Sequence, residues 1–163
     1  MRPIKQKSSL LFLLFILLIS CGSSNETSTI QPPNHSGEKA VVISITTSGN
    51  ENAYSFNVGI LSPDTGCGQY ANWWEVISEN GDLIYRRILG HSHVNEQPFI
   101  RSGGSVSISK NQVVIVRAHM NTSGYGTKTF KGSVSGGFVA FETQENFAND
   151  LATQTPLPSG CAF

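Results

Sequence analysis

The feature of this chain that most restricts its fold is the recurrence of apolar residues at every second position. The first two stretches with this period consist of Val41, Ile43 and Ile45, and of Tyr54, Phe56, Val58 and Ile60. Side chains two residues apart lie on the same face of a β-strand, so the period predicts strands with one buried face. The polar residues at 50–52 predict a turn between these two strands.

Five further stretches with strand character follow, at residues 73–78, 83–89, 106–109, 112–120 and 127–134. The Asn80-Gly81 pair between the first two of them is a strong hairpin signal, because both residues tolerate the positive φ of a tight turn. Seven short strands joined by glycine-rich and asparagine-rich turns predict an all-β antiparallel sandwich. We place this single domain at residues 40–163 and expect a short C-terminal extension that is partly helical, at residues 142–151.

The stretch at residues 114–121, followed by Gly124-Tyr125-Gly126, resembles the sixth strand of an immunoglobulin-like sandwich and the turn into its seventh. The resemblance is to the fibronectin type III kind and covers residues 40–134. It implies that the third strand, residues 73–78, lies between its hairpin partner and the sixth strand. The tryptophan that is usual on the family's second strand is missing here, since Trp73 and Trp74 both lie on the third. Residues 62–101 also look like uncharacterised bacterial lipoproteins.

The first twenty residues have the organisation of an export signal. Arg2, Lys5 and Lys7 precede an unbroken apolar run at residues 10–19. Such a run spans about 15 Å as a helix, which is half of the roughly 30 Å needed to cross a bilayer. Residues 1–20 are therefore predicted to be a secretory signal peptide and not a transmembrane helix.

The sequence Leu18-Ile19-Ser20-Cys21 resembles the bacterial lipobox, in which the cysteine becomes the lipid-modified first residue of the mature protein. This resemblance implies a lipoprotein that acyl chains on Cys21, such as palmitate, anchor to a membrane of the cell envelope. An Asp after the cysteine tends to mark inner-membrane retention. That position is Gly22, so the outer membrane is expected in a Gram-negative host. The alternative is that Cys21 is an ordinary residue after a soluble secretory signal.

Residues 21–39 are rich in Ser, Asn, Thr, Gly and Pro and contain almost no apolar side chains. Such a stretch buries too little surface to offset the entropy lost on ordering, so it is predicted to be a flexible tether.

With Cys21 lipidated, Cys67 and Cys161 are an even pair in an oxidising compartment. We predict one disulfide between them, which pins the C-terminal segment at residues 155–163 to the body of the domain. The alternative is two free thiols that act as metal ligands or as a redox pair. Neither cysteine has the CxxC spacing that is common at such sites.

Composition and motifs argue against two classes of function. Lys and Arg together number 11, as do Asp and Glu, and no basic block is present, whereas nucleic-acid binding needs clustered cations. Residues 132–136 carry Val134 where the Gly-x-Ser-x-Gly nucleophile motif has its serine. Carboxylates are sparse, and none are paired in a context typical of general acid and base catalysis. We therefore expect neither an enzyme nor a nucleic-acid-binding protein.

Three histidines are candidate metal ligands. His91 and His93 are two residues apart, so an extended segment places both imidazoles on one face. In the fibronectin-like topology, His119 at the end of the sixth strand lies near the same end of the sheet. The three imidazoles together are expected to suit Cu(II) or Zn(II), since a zinc site usually takes three or four protein ligands. The alternative is that His91 and His93 bond only carbonyls of their own loop.

The facing of the strands adds aromatic residues to this end of the sheet. A glutamate rarely points into a core, so Glu75 predicts that Trp74 faces inward and Trp73 outward. On the sixth strand the apolar alternation predicts an inward face and an outward one that carries Arg117 and His119; the inward set is Val114, Val116 and Ala118. The candidate binding surface therefore consists of Tyr70, Trp73, His91, His93, Glu96 and His119. Two alternatives stay open. Residues 95–104 cover Trp73 within a second small core, and Arg86 and Arg87, on opposite faces of their strand, provide a salt bridge to Glu75 or Glu79.

Two functions remain, because a sandwich of this type hosts many. The first is a lipid-anchored binding module of the cell envelope, which engages a protein or a glycan through the candidate binding surface and needs no cofactor. The second is an envelope lipoprotein that binds copper or zinc through His91, His93 and His119.

Overall fold

A computed structural model of the chain describes residues 38–162. Within this range the chain forms nine strands and one short 3₁₀ helix. In chain order these are β1 (Val41–Asn50), β2 (Ala53–Leu61), β3 (Ala71–Ser78), β4 (Leu83–Ile88), β5 (Phe99–Val106), β6 (Val114–Met120), β7 (Gly124–Tyr125), β8 (Lys128–Ser133), β9 (Gly137–Glu142) and the helix η1 (Asn149–Thr153). The predicted signal peptide, Cys21 and the tether as far as residue 37 lie outside the described residues.

The strands form two antiparallel sheets. One has the order β1-β2-β5, and the other has the order β4-β3-β6-β8-β9, with the short β7 also paired to β6. Both sheets contribute to one apolar core, with Phe56 and Val58 from β2 and Trp74 and Val116 from β3 and β6. The prediction of an all-β antiparallel sandwich is confirmed. As expected, β3 lies between its hairpin partner β4 and β6.

The described residues contain three strands that the sequence did not predict, β5, β7 and β9. The strand predicted at residues 106–109 is not formed, because only Val106, the last residue of β5, is in a strand. Strand β5 pairs with β2 along residues that we expected to be a covering segment. Its sequence carries Gly103 and Gly104, which are usual in loops. Here they permit close packing, since a Cβ on Gly103 would lie 2.7 Å from Cζ2 of Trp74, and one on Gly104 would lie 2.8 Å from the carbonyl oxygen of Tyr54. The glycines are therefore required by neighbours that the local sequence does not reveal.

Another unpredicted strand is β9, which ends at Glu142, where the sequence predicted a helix to begin. The helix is shorter and later than expected, because only residues 149–153 are helical and they form a 3₁₀ turn. No helix within residues 38–162 is long and apolar enough to cross a membrane.

The two faces of the larger sheet bury different layers. Trp74 and Val76 of β3 join Val114, Val116 and Ala118 of β6 in the core between the sheets. The opposite face carries Trp73, Ile77 and Ile115, which form a second apolar cluster with Leu151 of η1. The predicted facing of β3 and β6 is therefore correct. Trp73 does join a second core, but the C-terminal segment covers it and residues 95–104 do not.

One end of the sandwich gathers four connecting segments, residues 38–40, 62–70, 89–98 and 121–127, which we call the loop end. Hydrogen bonds join them in turn. The Ser62 amide donates to Gln97 Oε1 at 2.9 Å, and the Tyr70 amide donates to Asn121 Oδ1 at 2.9 Å. The Ser123 hydroxyl donates to the carbonyl of Glu38 at 2.7 Å, which fixes the first described residues to this end.

The Sγ atoms of Cys67 and Cys161 lie at bonding distance, and the Cα atoms are 5.6 Å apart across a sequence separation of 94. A cross-link of this span restricts the unfolded chain, so the Cys67→Ser, Cys161→Ser double variant is expected to lose about 2–4 kcal/mol of unfolding free energy. Urea titration measures this loss. Mass spectrometry of the unreduced wild type should find one Cys67–Cys161 peptide pair, and two alkylatable thiols in native protein would contradict the pairing.

Candidate functional site

The six residues of the candidate binding surface do not form an exposed patch. Tyr70, Trp73, His93 and His119 are buried, and only His91 and Glu96 are exposed. The six also belong to different environments. Trp73 and His119 lie beneath the C-terminal segment, whereas His91, His93 and Glu96 lie in the loop between β4 and β5. The prediction of one exposed aromatic and histidine surface is therefore wrong, and these residues lie in two separate sites.

The first site is an aromatic stack made of Trp73, His119 and Tyr125. His119 pairs with Trp73 in the β3–β6 ladder, and their rings stack with centroids 3.7 Å apart and planes 7° apart. Tyr125 meets the imidazole edge-on at 4.6 Å. His119 Nδ1 lies 2.7 Å from Oδ1 of Asn72, and because an amide oxygen only accepts, Nδ1 carries the proton. Burial, and then the cations of Arg86 and Arg117, lower the pKa of His119 to about 3, so the ring stays neutral.

Beside this stack lies a buried charged cluster of Glu75, Arg86 and Arg117. The Glu75 carboxylate accepts from Nε of Arg86 at 2.8 Å and from Nε of Arg117 at 2.8 Å. The Nη2 nitrogen of each arginine lies within 2.8 Å of the same oxygen as its Nε, so Arg86 binds Oε2 and Arg117 binds Oε1. The predicted Arg86–Glu75 salt bridge is confirmed, and Arg117 is a second partner that the sequence analysis missed.

The same two arginines hold the C-terminal segment against the sheet. Arg117 donates to the carbonyls of Phe147 at 2.6 Å and Ala148 at 2.8 Å. Arg86 donates to the carbonyl of Leu151 at 2.7 Å and also to the carbonyls of Gln154 and Pro156. The guanidinium carbon of Arg117 lies 3.4 Å from the Tyr125 ring centroid, and that of Arg86 lies 4.5 Å from the Trp73 ring centroid.

This face is therefore a sealed structural layer. Burial raises the pKa of Tyr125 to about 12, with the Glu75 charge as the next cause, so its hydroxyl stays protonated. The signal for this layer is present in the sequence, since charged residues interrupt the apolar strands β3, β4 and β6 on one face. Charges in strands ordinarily indicate a solvent-facing side, which is why the layer was missed.

The second site is the histidine loop, which we define as residues 90–98. Asp64, which the sequence analysis did not single out, supports it. Asp64 Oδ2 accepts from the amide of His93 at 2.8 Å, while Oδ1 accepts from the Ser62 hydroxyl and the Ala71 amide. The C-terminal segment also contacts the loop, because the amide of Ala162 donates to the carbonyl of Gly90 at 2.7 Å. The loop is thus fixed by both the sandwich and the disulfide-linked C-terminal segment.

The His93 side chain is buried within this loop without a hydrogen bond. Its ring stacks on Phe99 at 3.8 Å between centroids, and the ring of the exposed His91 lies 4.4 Å away. Neither ring nitrogen has a hydrogen-bond partner within residues 38–162, and Nδ1 is 3.6 Å from Asp64 Oδ2. Burial, followed by the charge of Arg101, lowers the pKa of His93, so its imidazole is neutral. Buried polar atoms without partners are uncommon and indicate a place where a ligand or water completes the structure.

A cavity of about 220 Å³ opens at this loop. Its lining includes His91, Ser92, His93, Asn95, Glu96 and Ala162. The Ser92 hydroxyl is also buried without a partner in the described part of the chain. Glu96 is exposed and accepts a hydrogen bond from Arg101 at 2.7 Å, which lowers the pKa of its carboxyl group. The cavity therefore offers two imidazoles, a hydroxyl, an amide and an ionised carboxylate.

The three predicted metal ligands do not come together. His91 and His93 are neighbours in the histidine loop, but His119 is held by Asn72 and Trp73 in the aromatic stack. Among residues 38–162, no group of three or more His, Cys, Asp and Glu side chains is arranged to hold a metal ion. The expected three-histidine site is therefore replaced by a pair.

Comparison with known proteins adds one relationship. No family model matches this chain. No solved structure matches it either. A protein of Halomicrobium mukohataei named "Putative lipoprotein" is 39% identical over 74 residues, which make up 45% of this chain and 36% of that protein. The match spans little more than a third of that protein's length. The chain is thus similar, over somewhat less than half of its residues, to a protein named as a lipoprotein.

Proposed function

We propose that this chain is a lipid-anchored binding module of the cell envelope and not an enzyme. Two independent features support the anchor: the lipobox-like sequence that ends at Cys21, and the similarity to a protein named as a lipoprotein. Gly22 favours the outer membrane if the host is Gram-negative. The position of β3 between β4 and β6 supports the finer assignment of the sandwich to the immunoglobulin-like kind.

The binding site in this proposal is the cavity at the histidine loop. The observation that carries it is the buried His93 imidazole, whose two unpartnered nitrogens lie beside the exposed His91 at that cavity. Because the disulfide-linked C-terminal segment and Asp64 fix the loop, a ligand binds there without first ordering it. The ligand class is a polar group of an envelope glycan or protein, since the cavity offers hydrogen-bonding groups. Trp73 is buried beneath the C-terminal segment and makes no contact with the ligand in this proposal.

Saturation-transfer NMR of the full chain in detergent, with a panel of envelope glycan fragments and peptides, tests this site. For a fragment that binds, His91→Ala is expected to weaken affinity about tenfold, which corresponds to about 1.4 kcal/mol. His35→Ala, in the predicted tether, is the matched control and should bind like the wild type. Equal binding by wild type and His91→Ala would reject the histidine loop as the site.

A metal ion is the second candidate ligand, and the geometry of the histidine pair favours it. The rings of His91 and His93 are adjacent, and the Asp64 carboxylate lies behind Nδ1 of His93 at 3.6 Å. A carboxylate that accepts a hydrogen bond from Nδ1 orients a metal-binding histidine and leaves Nε2 for the ion, and Asp64 would make that bond if the two groups moved closer when the ion binds. In this version Zn(II) or Cu(II) is bound by two imidazoles, and water completes the coordination.

Thermal unfolding with added ZnCl₂ or CuCl₂ distinguishes a metal ligand from a glycan or protein ligand. A site in the native state raises Tm according to RT ln(1 + [L]/Kd). His91→Ala should abolish the shift, whereas His119→Phe should retain it, because His119 lies in the aromatic stack. An unchanged wild-type Tm at millimolar metal would eliminate this candidate and leave the glycan or protein ligand.

A further inference from the structure

Three exposed aliphatic side chains form a contiguous patch on the outer face of the β1-β2-β5 sheet. Ile43, Leu61 and Ile100 are 42%, 48% and 61% exposed. Gly59 lies between them, since it pairs with Ile100 on β5 and with Ser44 on β1. A Cβ on Gly59 would meet the Ser44 hydroxyl first and Cγ1 of Ile43 next, at 3.3 Å, so one exposed hydroxyl lies within the apolar surroundings. Leu61 follows two residues after Gly59 on the same face of β2. We call these three side chains the apolar patch.

The same sheet face becomes polar away from the loop end. Two residues before Gly59, Asn57 pairs with Thr46 on β1 and with Ser102 on β5. The Asn57 amide donates to the Thr46 hydroxyl at 3.3 Å, and its carbonyl accepts from the Ser102 hydroxyl. The face is thus apolar near the loop end and hydrogen-bonded and polar beyond it. Such a gradient suits a surface that meets lipid at one end and water at the other.

The chain enters the domain directly beside the apolar patch. Val41 pairs with Leu61, and residues 38–40 precede it along a groove that Leu61 and the exposed Lys128 also line. Ser123 and Glu145 hold Glu38 and Lys39 in place by a hydrogen bond and an ion pair. The point at which a membrane tether would leave the domain is therefore fixed next to the patch.

The length of the chain outside the structure limits how far this end stands from a membrane. From Cys21 to residue 37 there are 17 residues, which reach at most about 60 Å even when fully extended. A folded domain of this size is about 35 Å across. A link of this length keeps the domain within about two of its own diameters of an anchored Cys21 and so gives the patch a high effective concentration at the bilayer.

We propose that the apolar patch rests on the phospholipid surface of the membrane to which the chain is anchored. This inference relies on the lipid anchor of the proposed function. It orients the domain with the loop end toward the membrane and so places the histidine-loop cavity within reach of molecules at the headgroup level. Lys128 beside the patch complements the phosphate groups of the lipids.

Methyl NMR of the processed full chain tests this contact. The chain is isotopically labelled at Ile, Leu and Val methyl groups and reconstituted in nanodiscs of phosphatidylethanolamine and phosphatidylglycerol that carry a paramagnetic lipid. The methyl signals of Ile43, Leu61 and Ile100 are expected to lose most of their intensity. Val139 is the matched control, since it is 69% exposed on β9 of the other sheet and should keep its signal. Equal broadening of Val139, or none at the patch, would overturn the proposal.

Two further outcomes separate the inference from the proposed function. A mature chain without acyl mass on Cys21 overturns both, whereas an acylated chain with unbroadened patch signals overturns only the membrane contact. If a second copy of the chain covers the patch, the methyl signals of the patch will depend on protein concentration and not on the paramagnetic lipid. That result would also overturn the membrane contact. In the Leu61→Ser, Ile100→Ser variant the broadening at Ile43 should fall, while Val139→Ser should leave it unchanged.

Discussion

Replacing Glu75 with Ala is expected to lower the free energy of unfolding by about 3–5 kcal/mol. The variant leaves the guanidinium groups of Arg86 and Arg117 buried next to each other without an anion, and their desolvation is then uncompensated. Urea denaturation followed by tryptophan fluorescence measures the loss. Hydrogen exchange should show that residues 147–156 lose protection first, because the two arginines donate to carbonyls in that segment.

The matched control is Glu79→Ala, which removes the anion of an ion pair with Lys131. Both side chains of that pair are substantially exposed, so its loss is expected to change stability by about 1 kcal/mol or less. The contrast between the two glutamates isolates burial as the cause. A Glu75→Ala variant as stable as Glu79→Ala would mean that the charged cluster does not hold the C-terminal segment.

The strand pattern was predictable on β2 and β3, where one face of the strand meets the core without interruption. Alternation at Tyr54, Phe56, Val58 and Ile60 follows from that contact, and so does the facing of β3 and β6. On β1 the expected buried set of Val41, Ile43 and Ile45 was wrong, because a bulge between Val42 and Ser44 puts Val42 in the core and leaves Ile43 exposed.

Strand β5 was not predictable from such alternation, because Gly103 and Gly104 are selected by Trp74 and Tyr54, which lie on other strands. The periodicity of a strand indicates which of its faces is buried. It does not indicate which side chains of other strands pack against a given residue.

The functional sites show the same division. The cysteine pair and the Arg86–Glu75 salt bridge followed from residue types and compartment alone. The sequence did not predict correctly whether Trp73 is exposed. Glu75 was taken to indicate a solvent-facing side of β3, whereas two arginines neutralise it within a second buried layer. Asp64 was missed because its role is to accept backbone hydrogen bonds from distant segments, such as that of His93.

The neutral state of His119 gives the protein a marked sensitivity to acid. Burial lowers its pKa in the native state to about 3, whereas the unfolded chain titrates near 6.5. Between these values the unfolded state binds a proton that the native state does not, so stability falls as the pH drops through this window. Full stability is present above pH 6.5. The loss is expected to approach about 1.4 kcal/mol per pH unit and to total about 5 kcal/mol near pH 3.

Urea denaturation at a series of pH values from 7 to 5 measures this slope before most carboxylates titrate. His119→Phe is the control variant, since a phenyl ring keeps the stacking on Trp73 but takes up no proton. The variant is expected to be less stable at pH 7, because the bond to Asn72 is lost, and to show a smaller loss of stability between pH 7 and pH 5. His93, whose pKa is also lowered, contributes to both proteins alike, so the difference between their slopes belongs to His119. Parallel slopes in the two proteins would show that His119 is not buried in its neutral form.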